Sequence, residues 1–480
     1  MRRPRKSSDY REYYEVLKYR KSEKVVKDFS YSSRVKVALI FPNKYSIASS
    51  SLSFSFVAKL FNESGISCER FFHEGWFRKY YSLETQSPLD EFRIWAFSVH
   101  YELDFFNVLD LLKSRGLPLS WRERNKNHPL IIIGGALTYF APFMFWEVAD
   151  VIYHGDLEEH LGKVVESFLL GEKEKVLSSL LEIPAVSIPP EGKVFKKLAT
   201  CRNLNDNPPH SHVIPSHGEF SGRLLIEVGR GCIRKCKFCV AGHTQKPVRF
   251  VKPDVFEKIV RKYKEEKFGL ISATITDYPW LDELLDVLER YSIKFSVSSM
   301  RMDGLNLRLL KLLKKSDQRT FTVAPEGGSQ KIRDILGKDI KEEDIANALK
   351  MGREAGFDGI KMYFIYGLEE ENEEDLLAIK KLADFARSLG YNRITLSLNP
   401  LIPKPKTPFE KRTMLPSHIL REKFSFLKKI LKGYRLTFES IRESILQYRL
   451  AFADKSLSRE WVKIYKKFGA KELKRHILKA

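Results

Sequence analysis

The sequence predicts an α/β protein that has an N-terminal Rossmann-like parallel-sheet domain, a central partial (βα)6 barrel and a basic helical extension at the C-terminus. Three observations carry this prediction. Apolar strands alternate with amphipathic helices over residues 35–185, and a second alternation occupies residues 223–416. The third observation is that residues 417–480, after the second alternation, have a helical pattern rich in Lys and Arg. Residues 186–222, between the two alternations, are rich in Pro and polar residues, which predicts a linker.

The first domain has four predicted strands, each followed by a helical or loop pattern. They are residues 35–41, 92–100, 129–135 and 149–156. Strands that are apolar along their whole length are typical of a parallel sheet covered on both faces. Ligands of such sheets bind at the carboxyl ends of the strands, which makes Gly134, Gly135 and Gly155 candidate cofactor-binding residues.

The second alternation has six predicted strands with helices between them, for example 281–290 and 342–355. The strands are residues 223–231, 270–276, 294–300, 320–326, 359–367 and 393–400. Eight βα units close a barrel of the usual kind, so six units predict a partial, open barrel. Such barrels carry their chemistry on the rim formed by the carboxyl ends of the strands.

The net charge of +22 in 480 residues is concentrated at the two ends of the chain. Residues 1–36 hold 12 Lys and Arg against 5 Asp and Glu, and residues 404–480 hold 21 against 7. The basic N-terminal segment, 1–34, and the basic C-terminal region, 417–480, therefore predict contact with a polyanion such as RNA or a ribonucleoprotein. The alternative is a solvated lysine-rich surface.

Cysteine content and hydropathy indicate the compartment. Five cysteines in 480 residues are too few and too unevenly spaced for a disulfide framework. The N-terminus lacks the apolar stretch of a secretory signal, and no run reaches the roughly 18 apolar residues of a membrane span. These observations predict a soluble, cytoplasmic protein without a membrane partner.

Three of the five cysteines lie in "VGRGCIRKCKFCVAG", directly after the first barrel strand. Cys232, Cys236 and Cys239 have the spacing C-x3-C-x2-C, whereas Cys68 and Cys201 lie apart from other ligands. Three thiolates can hold three irons of a 4Fe-4S cluster and leave the fourth iron open, as a catalyst requires. The alternative uses His243 as a fourth ligand in a Cys3His zinc site, which predicts a zinc-stapled RNA-binding protein without catalysis.

This loop resembles the signature of the radical SAM superfamily, with Phe238 in the aromatic position before the last cysteine. Further stretches are similar to radical SAM enzymes that carry an N-terminal cobalamin-binding-type domain. They are "TDYPWLDEL", "SVSSMRMDGL", "VAPEGGSQKIRDILGK", "YFIYGLEEENEEDL" and "PLIPKPKTPF" in the barrel, and "GG" at 134–135, Pro142, Asp150 and "GDLEE" at 155–159 before it. The resemblance covers about residues 35–412 and is nearest to an uncharacterised subgroup.

The resemblance implies that the three cysteines ligate a 4Fe-4S cluster whose open iron binds S-adenosylmethionine. Phe238 would contact the adenine, Glu326 the amino group or ribose, and Ser299 and Arg301 other polar groups of this cofactor. An electron from a flavodoxin or ferredoxin would cleave the cofactor reductively to a 5′-deoxyadenosyl radical. The resemblance assigns no catalytic residue.

Cobalamin is a further cofactor that the resemblance suggests for the first domain, and it would favour methyl transfer. Many cobalamin domains place a histidine in D-x-H-x-x-G after the first strand. The corresponding stretch here, "FPNKYSIASSSLS", contains no histidine, and His100 follows a later strand. Two alternatives follow: cobalamin binds without a histidine ligand, or the domain keeps the fold without the cofactor and the radical serves another RNA or protein modification.

Overall fold

In the computed structural model, which describes residues 7–298 and 300–479, the chain forms two compact units. Unit 1 consists of Met1–Arg202, Pro209–Leu225 and Arg449–Ala480, and unit 2 of Asn203–Pro208 and Ile226–Tyr448. Parallel sheets with helices between their strands form both units, which confirms the predicted α/β class.

Within the described residues, unit 1 contains one six-stranded sheet. Its strands, in spatial order, are Ser67–Phe72, Lys36–Phe41, Ile94–Ser98, Leu130–Gly134, Val151–Tyr153 and Val186–Ser187. The first five are parallel and the last is antiparallel to its neighbour. The parallel strands thus have the flavodoxin-like order 2-1-3-4-5, in which the order reverses between Lys36–Phe41 and Ile94–Ser98.

Helices and short strands complete unit 1. The helices are Ser7–Ser22, Tyr45–Ala48, Leu52–Glu63, Asp104–Ser114, Leu161–Leu169, Lys173–Leu180 and Lys455–Lys479, the last broken at Gly469. Lys24–Val25 pairs with Val213–Ile214, inside the stretch predicted as a linker. The N-terminal helix buries Tyr13 and Val16, so this part of the basic segment is packed into the unit.

The strand Ser67–Phe72 lies at the edge of the sheet and was missed by the sequence prediction. It reads "SCERFF", and its two charged residues, Glu69 and Arg70, are fully buried. Arg70 is neutralised by Glu23 at 2.6 Å and by Glu84 at 2.6 Å. These partners come from other parts of the chain, so the local pattern does not reveal that the segment is buried.

The barrel strands form two sheets within the described residues, and all of these strands except the first lie wholly in unit 2. The first sheet has the order Phe295–Val297, Lys267–Ile271, Arg223–Glu227; the second has the order Thr320–Glu326, Gly359–Tyr366, Arg393–Pro400, Arg435–Phe438. A parallel β-bridge between Met300 and Val323 connects the two sheets into one open, continuous sheet. The six predicted strands are present in the predicted order, as a partial barrel requires.

A seventh strand, Arg435–Phe438, pairs in parallel with Arg393–Pro400 and corrects the purely helical pattern predicted after residue 417. The strand is short and follows Gly433. The φ of Gly433 is 98°, a conformation that glycine adopts readily and that is costly for other residues. The helices from 226 to 451 are Ala241–Thr244, Pro253–Lys262, Leu281–Arg290, Leu307–Lys315, Gln330–Leu336, Glu342–Glu354, Glu373–Ser388, Ser417–Ile430 and Ile441–Ala451.

Hydropathy along the helices bears on the membrane prediction. Across the described part of the chain, no helix combines the length and the apolar composition that crossing a bilayer requires.

Candidate active site

The cysteine loop follows the first barrel strand and is folded tightly on itself. Gly229–Arg230 pairs antiparallel with Arg249–Phe250 and closes the loop. A Cβ atom on Gly231, whose φ is 86°, would lie 2.2 Å from the carbonyl oxygen of Gln245. A Cβ atom on Gly242 would lie 2.2 Å from the carbonyl oxygen of Arg234. The glycines around the cysteines are therefore needed for the close approach of backbone segments.

The three thiols are partly or fully shielded from solvent and influence one another. Cys236 is 8 % exposed, and Cys232 and Cys239 are half-buried. Burial raises the pKa of Cys236, while Lys338 and Arg301 act to lower it. Burial also raises the pKa of Cys239, and the backbone N–H groups of two following residues act to lower it. Each of these two pKa values is raised further by the neighbouring thiols, as expected of side chains close enough to bind one cluster.

The position of His243 bears on the choice between the two predicted metal sites, an iron–sulfur cluster and a Cys3His zinc site. The imidazole Nε2 of His243 lies 3.0 Å from the carbonyl oxygen of Cys236 and so is hydrogen-bonded to backbone. Within the described residues, no three His, Cys, Asp or Glu side chains are placed to ligate a single metal ion. The Nε2 atom of His243 is therefore already engaged, which disfavours the Cys3His zinc site and leaves three thiols for a cluster.

Ion pairs connect the loop to the ends of the second and third barrel strands. The guanidinium of Arg234 donates to Asp277 at 2.6 Å and lies 3.2 Å from Asp303. Arg301 donates to both carboxylate oxygens of Asp303 at 2.9 and 3.0 Å, and its Nη1 lies 3.8 Å from the sulfur of Cys236. Arg301 thus carries positive charge to the sulfur while a carboxylate holds its orientation.

Four residues around the cysteine loop were not predicted from the sequence: Thr274, Asp277, Asp303 and Lys338. The hydroxyl of Thr274 lies 3.4 Å from the sulfur of Cys232. The backbone carbonyl of Lys338 accepts a hydrogen bond from Arg301 at 2.7 Å. The available signal for Thr274, Asp277 and Asp303 was their position in the loops that follow barrel strands, where the rim of the barrel lies, whereas Lys338 follows the helix Gln330–Leu336 and had no such signal.

Glu326 ends the fourth barrel strand in an unusual backbone conformation. Its φ is 65°, and the register with the fifth strand shifts between Val323 and Glu326. Its carboxylate lies 3.3 Å from the ammonium of Lys338, and both side chains are largely buried. A non-glycine residue in the left-handed region is costly, and such residues concentrate at functional sites. The assignment of Glu326 to cofactor binding stays a prediction that this geometry supports.

Phe238 is half-buried and packs against an apolar cluster of the barrel. The cluster consists of Ile332, Leu336, Leu368, Leu401 and Phe409. Contacts of Phe238 with the adenine stay a prediction, and Ser299 lies outside the described residues.

Two of the three glycines predicted to bind a cofactor in unit 1 lie against neighbouring backbone. A Cβ atom on Gly135, whose φ is 100°, would lie 2.4 Å from the backbone oxygen of Val99. A Cβ atom on Gly155, whose φ is 109°, would lie 2.2 Å from the backbone oxygen of Ala199. The nearest atom to a Cβ on Gly134 is 4.0 Å away. Backbone packing alone therefore accounts for two of the three glycines.

A polar cluster lies at the reversal of strand order in unit 1. The Nε2 atom of His100 is 2.9 Å from the hydroxyl of Ser53 and 3.1 Å from that of Ser98. Its ring stacks on Phe41, and burial lowers its pKa to about 4. Asp104 accepts a hydrogen bond from the amide of Asn43 at 2.9 Å. His100 is thus a neutral side chain that already has hydrogen-bond partners.

Comparisons with known protein families match both units. Residues 54–189 match a family described as radical SAM proteins, N-terminal, and residues 226–383 match the radical SAM superfamily. Over 433 residues the chain is 31 % identical to the uncharacterised protein MJ0966 of Methanocaldococcus jannaschii, covering 88 % of this chain and 90 % of that protein. It is 20 % identical to an uncharacterised methyltransferase, PH0819, of Pyrococcus horikoshii over 67 % of this chain and 72 % of that protein.

The fold is similar to that of solved enzymes. The structure of the cobalamin-dependent S-adenosylmethionine radical enzyme OxsB, with aqua-cobalamin and S-adenosylmethionine bound, matches with a TM-score of 0.53 at 16 % identity. The match covers 92 % of this chain but 63 % of OxsB, so this chain spans under two thirds of that enzyme. A second structure of OxsB, with aqua-cobalamin bound, matches with a TM-score of 0.52 at 15 % identity and covers 74 % of that chain.

Proposed function

The chain belongs to the radical SAM superfamily of enzymes, and on that premise we propose that it cleaves S-adenosylmethionine reductively at a 4Fe-4S cluster held by Cys232, Cys236 and Cys239. One observation carries the proposal: the three cysteines lie in a glycine-closed loop after the first barrel strand, and the Nε2 atom of His243 is hydrogen-bonded to the carbonyl of Cys236. A cluster bound this way keeps one iron open for the cofactor.

A 4Fe-4S cluster held by Cys232, Cys236 and Cys239 would supply the electron that cleaves the C5′–S bond of S-adenosylmethionine into methionine and a 5′-deoxyadenosyl radical. The side chains of this protein bind, orient and shield. Arg301 and Lys338 lie near Cys236 and offset the negative charge of a thiolate-bound cluster. The carboxylate of Glu326 would accept hydrogen bonds from the amino group or ribose of the cofactor. Phe238 would cover the adenine and exclude water.

We further propose that unit 1 binds cobalamin without a histidine ligand, which would direct the radical chemistry toward methyl transfer. Support comes from the flavodoxin-like strand order, whose reversal point is the usual ligand position, and from the fold shared with OxsB. The imidazole of His100, which lies at this reversal point, is hydrogen-bonded to Ser53 and Ser98 and is therefore not free to act as a ligand. Titration of the full-length protein with aquacobalamin should shift the absorbance of the corrinoid and retain it through gel filtration. Complete separation of the two on the column would contradict this assignment.

The cluster proposal is tested by anaerobic reconstitution followed by iron, sulfide and zinc analysis. We expect about four irons per chain, and loss of iron when Cys232, Cys236 and Cys239 are replaced together by Ala. The matched control replaces the two remaining cysteines, Cys68→Ala and Cys201→Ser, and should keep the iron. Stoichiometric zinc without iron–sulfur absorbance would contradict the proposal.

Cleavage of the cofactor is tested separately on the cluster-loaded protein. Dithionite replaces the flavodoxin or ferredoxin that we propose as the electron donor. 5′-Deoxyadenosine should form slowly without added substrate in the wild type and should not form in the triple cysteine variant. A cluster-loaded wild type that yields none, beside a working radical SAM enzyme, would show that the site does not cleave S-adenosylmethionine.

A further inference from the structure

The fifth barrel strand, Gly359–Tyr366, separates apolar from polar side chains along its length. Every second residue is at most 1 % exposed: Ile360, Met362, Phe364 and Tyr366. The residues between them, Lys361, Tyr363 and Ile365, are half-buried. Successive side chains of a strand point to opposite faces, and the fully buried set faces the surrounding helices. Lys361 and Tyr363 therefore face the interior of the open barrel.

The register of the neighbouring strands places more polar side chains beside them. Lys361 pairs with Thr322 on the fourth strand and with Thr395 on the sixth, and Thr395 pairs with Arg435 on the seventh. Paired residues of parallel strands point to the same face, so these four residues form a row, here called the inner row. Tyr363, Ser397 and Thr437 form the next row toward the cysteine rim.

The inner row carries two cationic side chains, Lys361 and Arg435. The ammonium of Lys361 donates to the hydroxyl of Tyr363 at 2.9 Å and lies 4.6 Å from the centre of its ring. Among the residues that the structure describes, neither Lys361 nor Arg435 lies within 4.0 Å of a carboxylate oxygen. The acidic side chains at the carboxyl ends of the strands have partners of their own, Glu326 with Lys338 and Glu227 with Arg230.

An unsatisfied hydroxyl lies in the adjacent row. The Oγ1 atom of Thr437 is buried and has no hydrogen-bond partner among the described residues. Buried polar atoms are almost always paired with protein, water or ligand. Thr437 neighbours Ser397 in register and lies two residues beyond Arg435 on the same face, so an acceptor bound at the inner row comes within its reach.

A cleft of about 480 Å³ lies at the amino ends of the strands and shares two of its lining residues with the inner row. Thr395 and Arg435 belong to both, and three further arginines line the cleft: Arg319, Arg387 and Arg393. One of them, Arg393, is paired with Asp358 at 2.6 Å. The volume is in the range of small-molecule sites, and guanidinium groups bind phosphate and carboxylate in a bidentate manner.

We propose that the inner row binds an anionic group, phosphate or carboxylate, of the substrate through Lys361 and Arg435. Two strands apart, the Cα atoms of these residues are separated by about 10 Å, which both long side chains can bridge toward one anion. An anchor there holds the substrate at a point remote from the cysteine rim, so its binding energy orients the carbon that reacts. The assignment of the anion to the substrate rests on the proposed function.

The test is calorimetric titration of the full-length protein with pyrophosphate and, separately, with succinate at 0.15 M KCl. Lys361→Met should weaken binding of the preferred anion at least about tenfold, because a charge-assisted contact is lost. Lys361→Arg should keep the affinity within about threefold, because the charge stays. The matched control is Lys350→Met on an exposed helix position, which should bind as the wild type does.

Both variants of Lys361 are checked by thermal unfolding, and Arg435→Gln, at an exposed position, gives an independent test if the half-buried lysine is needed for folding. Preference for pyrophosphate identifies a phosphate-bearing substrate, and preference for succinate a carboxylate. Failure of the wild type to bind either anion, or equal binding by the wild type and the Lys361→Met and Arg435→Gln variants, would overturn the proposal. The titration needs neither cluster nor S-adenosylmethionine, so its failure leaves the cleavage assay as an independent test of the proposed function.

Discussion

Asp303 is the carboxylate that pairs with two arginines at the cysteine loop. It pairs with Arg301, which touches the sulfur of Cys236, and with Arg234 of the loop itself. Arg301 is 6 % exposed, so it depends on this partner for neutralisation. Removing one member of such a pair leaves a buried charge without compensation, which costs more than the pair contributes.

We therefore predict that Asp303→Asn lowers the free energy of unfolding of unit 2 by about 2–3 kcal/mol and speeds the loss of iron from reconstituted protein. Denaturant unfolding and iron retention over time measure the two effects. Asp286→Asn is the matched control, because Asp286 pairs with Arg308 on the surface and should change stability by less than about 1 kcal/mol. Equal stability and equal iron retention of Asp303→Asn and the wild type would show that the pair does not position the loop.

Asp104 predicts a pH dependence in unit 1. Burial raises its pKa from 3.8 to about 6, although hydrogen bonds from Asn43 and from backbone N–H groups act to lower it. The folded protein therefore keeps this proton up to about pH 6, whereas the unfolded chain releases it near pH 4. Ionisation then costs the folded state free energy that grows from pH 4 to 6 and levels off above, at about 3 kcal/mol.

Asp104→Asn should remove this cost, so its stability relative to the wild type should rise between pH 4 and 6 by up to about 3 kcal/mol. Unfolding of both proteins at a series of pH values measures the difference, and groups common to both cancel. A constant difference across that range would mean that Asp104 is ionised in the folded protein as readily as in the unfolded chain.

At the scale of elements, two adjacent glycines end the strand Leu130–Gly134. One of them is needed for the backbone to pack, and the other can be substituted to test ligand binding. Gly135 has a φ of 100° and lies against the backbone of Val99, whereas Gly134 has room for a methyl group. We predict that Gly135→Ala destabilises unit 1 by at least about 2 kcal/mol, since both the conformation and the space oppose a Cβ atom.

Gly134→Ala is the control one residue away and should change stability by less than about 1 kcal/mol. Thermal and denaturant unfolding compare the two. Equal stability of the two variants would show that the close backbone approach at Gly135 does not require glycine. A stable Gly134→Ala variant that no longer binds aquacobalamin would give Gly134 a role in ligand binding.

At the scale of the whole molecule, the predicted contact with RNA is tested on the basic C-terminal helix, Lys455–Lys479. Lys466 pairs with Glu123 and Arg475 with Glu472, so reversing their charges would disrupt contacts within the protein. Lys463, Lys467 and Lys471 are exposed, and no described carboxylate pairs with them. These three are the cations that a phosphate backbone can reach without competition.

We predict that single-stranded RNA binds with an affinity that falls with salt, with a log–log slope near −0.7 per phosphate contact. Replacing Lys463, Lys467 and Lys471 by Glu should make the slope shallower by about two units, because three contacts are lost. The control carries the same change of net charge at Lys264, Lys350 and Lys381. Identical slopes for all three proteins, from filter binding at several salt concentrations, would assign the charges to solvation.

The sequence by itself determined the α/β class, the six barrel strands and the cysteine loop, because these depend on local pattern. Apolar periodicity marks a strand wherever its neighbours lie, and C-x3-C-x2-C with flanking glycines is contiguous in the chain. Arg301 and Glu326 were singled out through the resemblance to radical SAM enzymes, whose motifs are likewise contiguous in the chain.

Only the tertiary structure decided features that depend on distant partners. The strand Ser67–Phe72 is buried because Arg70 is neutralised by Glu23 and Glu84, and the seventh barrel strand exists because Arg393–Pro400 offers an edge to pair with. The inner row is likewise invisible in the sequence, since Lys361 and Arg435 are 74 positions apart and become neighbours in one row through the register of three strands. Pairing across a sheet is non-local, and a one-dimensional pattern does not contain it.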